Sequence, residues 1–319
     1  MLNLDDVNAT VREKFIPVAV DNVFEDILLF YRLVKRNKLI FDAPGKDGYI
    51  TQPIIADKYP VYAHDNKYGR LQVPTQEILT TAKFKFATRY GSVPLTREDD
   101  NVLTSKEAVI DTLKVRYEVM INSLIDTIES QLFVQTAVSE GEEIDSIGKI
   151  VDNGDNYSSY AGINRVDFSN WKSYVKNNAG AAITYADLSN VKQKATIGRE
   201  KPTIVFTTEE LWTKINQIIF DKFHYYPPAD KEVLDLGIDN YLIFGAPCVA
   251  NKNVPSGQII FLNENYLYLA LKKDADEKGM TFVPYERVDL MTIKASHLFW
   301  DGQLYCPAPR LQTRIINAV

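Results

Sequence analysis

Residues Thr104–Val138, TSKEAVIDTLKVRYEVMINSLIDTIESQLFVQTAV, carry the longest helical pattern in the chain. Ile110, Leu113, Tyr117, Met120, Leu124 and Ile128 recur at intervals of three and four, and Ile121, Ile125 and Leu132 widen that stripe. One face is therefore apolar from end to end. Thr104-Ser105-Lys106-Glu107 reads as a capping box, with a hydroxyl to accept an amide of the first turn and a carboxylate to reach back. At the standard rise such a helix extends about 50 Å, and Gly141-Glu142-Glu143 then breaks it.

Upstream the character changes. From Ala43 to Leu95, Gly, Pro, Tyr and Lys become frequent and short strand-like runs alternate with turn signals. Tyr59–Ala63 and Arg70–Pro74 flank the polar turn His64-Asp65-Asn66-Lys67-Tyr68-Gly69, and Lys83–Thr88 alternates strictly. Too few large apolar residues lie between Lys58 and Pro74 to give this hairpin a core, so it is expected to project or to pack on something else. Before it, Phe24, Ile27, Leu28, Tyr31 and Val34 predict an amphipathic helix from Asp21, its N-cap, to about Lys38, with Lys35 and Arg36 at its basic end. Met1–Val20, with Pro17, reads as an extended or partly helical arm.

Downstream, the turn-rich Asp152–Ser159 leads into alternating helix and strand. Tyr185–Ala195 predicts a helix. Pro202–Phe206 predicts a buried strand running into Thr207-Thr208-Glu209-Glu210, a second capping box, and a helix to about Phe223. Tyr241–Ala250 and Gln258–Leu271 read as two strands joined by the hairpin-type connection Asn251–Gly257. Val288–Val319 is strand-like, with Trp300–Tyr305 resembling a tight reversal. There is no internal repeat and no low-complexity tract.

Composition excludes several classes. With 45% hydrophobic and 24% charged residues over 319 positions, the chain is neither wholly disordered nor collagen-like, and 18 Tyr and 15 Phe favour strands and contact surfaces. Thirty-six basic against 42 acidic residues, a net charge of -6, is not the footprint of a dedicated nucleic-acid binder. Cys248 and Cys306 lack C-x-x-C spacing and read as buried free thiols. The start, Met1–Asp6, has neither a basic nor an apolar leader region, and no stretch reaches the ~18 apolar residues of a membrane span, so a reducing cytoplasm is the expected site of synthesis.

Chemistry-bearing constellations are scarce. His64, His224 and His297 are scattered, without H-E-x-x-H, a nucleophile elbow or zinc-type spacing. Asp152-Asn153-Gly154-Asp155 hints at a calcium loop but lacks its spacing and terminal Glu, and reads as a solvated turn. Glu209 and Glu210 fit the first turn of a helix, and Lys35, Arg36 and Lys38 fit a helix C-terminus better than a DNA contact. Asn8-Ala9-Thr10 and Asn156-Tyr157-Ser158 match the glycosylation sequon by chance. No catalytic, cofactor-binding or metal-ligating residue is expected, and the chain does not read as an enzyme.

An arm, a hairpin without a core, a very long helix and a compact second half leave apolar surface that copies of the same chain could cover. At this level the sequence resembles the major capsid proteins of tailed bacteriophages, in the order of its elements and in Tyr160-Ala161-Gly162-Ile163-Asn164-Arg165 with Phe168-Ser169-Asn170-Trp171. The later runs Pro202–Glu209, Phe244–Val249 and Gly257–Asn263 share the likeness. The resemblance implies an α+β fold, named after the Hong Kong 97 phage. It comprises an N-terminal arm (1–42), an extended β-hairpin loop (43–95), a peripheral domain (96–163) with a spine helix (104–138), an α/β axial domain (164–278) and return strands of the peripheral domain (279–319). It further implies self-assembly into pentamers and hexamers of an icosahedral shell around double-stranded DNA, enclosed without sequence-specific contacts by a mildly acidic wall. A scaffolding protein, a portal and a decoration protein are the implied partners, with assembly in the host bacterial cytoplasm, residence in the virion, no membrane and no cofactor. The chain shows no long removable N-terminal segment and no matched Lys and Asn pair for cross-linking, so neither property is carried over. The alternatives are an encapsulin-like nanocompartment shell, a phage tail or adaptor protein, and a cytoplasmic α/β enzyme built on Tyr160–Leu271, which would be a monomer with clustered titratable groups.

Overall fold

The computed structural model describes residues 11–12, 26–42, 48–55, 79–96, 106–134, 141–223, 229–234, 236, 238–273, 275, 279–287 and 293–319. In chain order these form α1 (Leu28–Lys35), β1 (Leu39–Asp42), β2 (Tyr49–Ile55), β3 (Leu79–Lys85), β4 (Ala87–Thr96) and α2 (Lys106–Phe133). After α3 (Ile147–Ile150), β5 (Ser159–Tyr160) and β6 (Ile163–Asn164) come β7 (Tyr174–Asn177), α4 (Tyr185–Ala195), β8 (Ile204–Thr207), α5 (Glu209–Phe223) and α6 (Lys231–Leu234). The chain ends in β9 (Asn240–Ile243), β10 (Ala246–Ala250), β11 (Ile259–Leu262), β12 (Tyr268–Lys272), β13 (Met280–Arg287), β14 (Ile293–Tyr305) and β15 (Thr313–Ile316).

The long helix is the frame. Over 28 residues, about 42 Å at the standard rise, its predicted stripe is the buried face: Leu113, Tyr117, Met120, Ile121, Leu124, Ile125, Ile128 and Leu132 are all buried. Each such side chain contributes roughly 1.5–3 kcal/mol of transfer free energy. Thr104, Ser105, residues 135–138 and the Ile110 side chain lie outside the described residues. On the opposite, exposed face three hydroxyls bond back to the helix itself: Ser123 to the Val119 carbonyl, Thr127 to that of Ser123, and Ser130 to that of Thr127. Such back-bonding weakens and bends helices. Replacing all three by Ala is expected to raise the unfolding free energy by about 1 kcal/mol in total, measured by urea denaturation; a loss would show that these hydroxyls stabilise the helix.

Two sheets flank this helix. A five-stranded sheet runs β1-β12-β14-β13, with β4 also on β14, and a six-stranded sheet runs β7-β15-β11-β8-β10-β9. The stripe of α2 packs with Phe30 and Leu33 of α1, with Leu298 and Trp300 of β14, and with Ile204, Phe206, Val249 and Ile260 on one face of the six-stranded sheet. The other face of that sheet, Val205, Cys248, Ile259 and Phe261, packs on Leu188 and Val191 of α4 and Leu211, Ile215 and Ile219 of α5. The sheets do not divide at residue 278, because β12 lies in the β14 sheet and β15 inserts into the six-stranded one. β2 and β3 pair as a separate ladder from Tyr49↔Lys85 to Ile55↔Leu79, and the alternation read at Lys83–Thr88 begins as Lys83 out, Phe84 in, Lys85 out. The hairpin expected at residues 59–74 lies outside the described residues.

Several local expectations change. Within the expected helix Asp26 is helical, Ile27 interrupts with extended backbone and no side-chain cap, and α1 begins at Leu28, while Asp21 lies outside the described residues. Thr207 caps nothing: it ends β8, its hydroxyl donates to the Gln258 carbonyl at 3.2 Å, and α5 opens one residue later, with Trp212 N–H on the Thr208 carbonyl. Asn251–Gly257 is not a hairpin turn, since β8 stands between β10 and β11. The hairpin is instead inside Tyr241–Ala250, where Phe244 and Gly245 both take positive φ, 52° and 84°, as a two-residue turn of the favoured hand requires. Trp300–Tyr305 does not reverse either. β14 runs straight through it, and Gly302 is there because a Cβ would collide with the Trp300 indole.

Candidate functional site

The motif at Tyr160–Trp171 builds a buried junction. Tyr160 stacks on Trp171 with centroids 5.6 Å apart, the Trp171 indole N–H donates to the Tyr160 carbonyl at 2.9 Å, and the Tyr160 hydroxyl accepts the Cys306 N–H at 3.1 Å. Arg165, fully buried, lies over the Tyr160 ring and donates to the carbonyls of Lys149 (2.6 Å), Ile150 (3.0 Å) and Tyr157 (3.1 Å).

Asp152 sits at the centre and is not a solvated turn residue; it is fully buried. Its carboxylate accepts the N–H groups of Gly154, Asn156 and Tyr157 at 3.0–3.2 Å and the Asn156 side-chain amide, then Arg314 at 2.7 Å and Arg165 at 3.5 Å. Burial raises its pKa, but these donors and the Arg314 charge outweigh burial and hold it below the ordinary value. Arg165 and Arg314 are pushed down by burial. Neither the four-residue loop nor its two arginines is free for chemistry; together they join residues 149–165 to β15. Among the described residues no group of three or more His, Cys, Asp or Glu could hold a metal ion.

A second buried pair clamps the crossover from the six-stranded to the five-stranded sheet. Arg32 of α1 grips Glu264 through Nε (2.5 Å) and Nη2 (3.0 Å), Arg36 adds a contact at 3.2 Å, and the Thr203 hydroxyl donates to the same carboxylate at 2.6 Å. Lys35 reaches Glu232 and lies over the Tyr31 ring, and Lys38 lies over Tyr268. The basic cluster at 35–38 is thus engaged within the chain.

The remaining candidates stay apart. His64 and His224 lie outside the described residues. His297 Nδ1 and the Ser92 hydroxyl are 2.7 Å apart across β4 and β14, beside the rings of Tyr90 and Phe299. Cys248 and Cys306 are free and buried, their thiols pushed up to about 12 by burial, which suppresses the reactive thiolate. Glu209 and Glu210 do sit in the first turn of α5.

One exposed groove is mostly apolar. It runs between β4 and the outer side of α2, about 590 Å³ in volume, walled by Tyr90, Pro94, Val115, Val119, Met120 and Leu124. Val115 is 58% exposed, Val119 61% and Tyr90 64%, and Arg89, Arg116 and Ser123 also line the groove. Strand and helix approach closely because residue 91 is Gly; a Cβ there would strike Met120. β14 pairs with one edge of the ten-residue β4, and among the described residues no strand takes the other edge. Sequence reasoning missed the groove because Val115 and Val119 lie off the core stripe of α2.

No family model and no curated protein matches this sequence. Solved structures do. The capsid of cyanophage A-1(L) superposes with a TM-score of 0.65 at 15% identity, covering 88% of this chain and 90% of that one. This chain has the fold of phage capsid subunits. The capsid of a native GTA particle agrees with a TM-score of 0.60 at 7% identity over 90% of each chain. The SrpI encapsulin of Synechococcus elongatus PCC 7942 also reaches 0.60, at 10% identity over 90% of this chain and 87% of that one. The Hong Kong 97-like fold implied by the sequence is therefore present, as a mixed helix and sheet architecture. At such identities the fold is what is shared, and it is common to these capsids and to the encapsulin.

Proposed function

We propose that this protein is a self-assembling structural subunit, the major capsid protein of a tailed phage, whose copies form the icosahedral shell around double-stranded DNA. The observation that carries this reading is the capsid-subunit fold along nine-tenths of the chain, combined with an exposed, mostly apolar groove between β4 and α2. An isolated globule has no reason to keep such a surface, whereas a lattice of copies buries it. In this reading the chain divides into an arm (1–42), an extended loop (43–95), a peripheral domain (96–163 and 279–319) and an axial domain (164–278), with β12 and β15 exchanged between the two sheets. Pentamers and hexamers, a scaffolding protein, a portal and a decoration protein are its partners, assembly takes place in the host cytoplasm, and the virion is the destination. The chain performs no catalysis. A net charge of -6 suits a wall that must release DNA.

The second reading, an encapsulin-like compartment, rests on the match to SrpI. Electron microscopy of particles formed on expression, followed by nuclease protection and mass spectrometry of the contents, tests both. Uniform closed shells are expected, and a co-purifying enzyme in place of protected DNA would favour the compartment. Val115→Arg with Val119→Arg is expected to abolish shells while changing stability by no more than about 0.5 kcal/mol, as exposed substitutions do. Shells of normal yield from that variant would remove the groove from the lattice contacts.

A further inference from the structure

Next to the junction of α2 with the six-stranded sheet, the loop between β10 and β11 closes on the helix. Glu129 accepts from the side-chain amides of Asn251 (2.8 Å) and Asn253 (2.9 Å), one to each carboxylate oxygen, and Lys252 reaches Asp126 at 3.1 Å. The loop is organised for this grip. Asn251 donates its backbone N–H to the Thr207 carbonyl, and its side-chain oxygen accepts the Asn253 N–H at 2.8 Å, which fixes its amide with the NH2 toward Glu129. Beneath the loop Val254 is buried, and one helical turn beyond Glu129 the ring of Phe133 meets Phe206 of β8 edge-on at 5.4 Å.

These two contacts differ in kind. Phe133 on Phe206 is an edge-on aromatic contact, part of the apolar packing that seats α2 on the six-stranded sheet. A carboxylate taking two amides in a bidentate arrangement does specify direction. The Lys252–Asp126 pair, 72% and 67% exposed, adds little by itself. Among the polar contacts between this loop and the helix, the bidentate one at Glu129 constrains direction most.

We propose that Glu129 and the Asn251–Asn253 loop form a clasp that fixes the angle between the six-stranded sheet and the long helix, and that this angle sets the curvature at which copies meet. The first half stands on the contacts alone; the second rests on the self-assembling reading. Glu129 is a positioning residue, partly exposed and in a helix, so Glu129→Ala preserves the fold and favours helix.

Hydrogen exchange on the unassembled chain tests the clasp. In Glu129→Ala the Asn253 and Val254 amides are expected to exchange about tenfold or more faster than in the parent, as loss of charge-assisted hydrogen bonds implies. Glu129→Gln, which keeps the size and one acceptor, should fall between, and Asp126→Ala should stay near the parent. Parental exchange in Glu129→Ala would overturn the clasp. Particle diameters measured by microscopy test the second half: a shifted or broadened distribution is expected for Glu129→Ala. An unchanged diameter with faster exchange would overturn the link to curvature. If the parent chain forms no closed particles, the self-assembling reading falls while the exchange result still decides the clasp.

Discussion

Asp152→Ala is expected to lower the unfolding free energy by about 3–5 kcal/mol, because it leaves two buried guanidiniums, Arg165 and Arg314, without their counter-charge. Three backbone N–H groups lose their acceptor in the same step. Urea denaturation of the unassembled chain measures the loss, and a cost below about 1 kcal/mol, the scale of an exposed pair, would show that the junction does not depend on this carboxylate. The same group predicts a pH dependence. Its folded pKa lies below the unfolded value of 3.8, so between the two the unfolded chain binds the extra proton and stability rises with pH. The contribution of Asp152 is complete above that unfolded value and disappears as pH falls through the lower folded one. Asp187, held down by Lys176 and Thr184 against its own partial burial, acts in the same direction. Asp152→Asn should flatten the acid limb of the stability curve; an equally steep limb would assign acid unfolding elsewhere.

Glu264→Ala is expected to cost a similar amount, about 3–5 kcal/mol, for a related reason. The Arg32 side chain, 2% exposed, would keep its charge without the bidentate partner that now holds its pKa above the ordinary value against the opposing effect of burial. Thr203 would lose its acceptor as well. The clamp spans three elements that are distant in sequence: α1, the approach to β8 and the turn after β11. The damage should therefore appear as lost protection of α1 and of the β11–β12 crossover together, by native-state hydrogen exchange. A double-mutant cycle with Arg32→Met is expected to show a coupling of about 1–3 kcal/mol. Additive effects of the two substitutions would mean that the pair, though close, does not hold the crossover.

Much of this architecture is legible along the chain. The stripe of α2 is buried where its spacing says, α4 occupies Tyr185–Ala195 as its pattern predicts, and the alternation at Lys83–Lys85 gives the correct inner face for β3. These are local signals, generated by period and by residue type. The α4 cap was readable too, since Thr184 and Asp187 form a capping box that the spacing T-x-x-D announces.

Errors concentrate where partners are far apart in sequence. Gly302 looks like a turn and instead lies inside a thirteen-residue strand, paired with Ala87 of β4 on one side and Leu271 of β12 on the other. Asn251–Gly257 looks like a hairpin loop because the two flanking strands are consecutive, yet β8, some forty residues earlier, takes the place between them. Asp152 looks solvated by composition and is buried because Arg165 and Arg314 reach it from 13 and 162 residues away. An Arg between Thr313 and Ile315 in a buried strand was the available hint, since such a charge requires a partner.

The sequence by itself thus determined the long helix and its buried face, α4, the inner face of β3, the absence of any recognisable catalytic motif and the resemblance to capsid subunits, because all of these follow from period, residue type and short motifs. Tertiary structure alone decided which strands are neighbours, where the two buried charge clusters close, and that β4 and α2 leave an apolar groove open. Those features exist only when residues separated by tens or hundreds of positions meet, and the energy of a buried ion pair or a shared groove belongs to the pair, not to either stretch of chain.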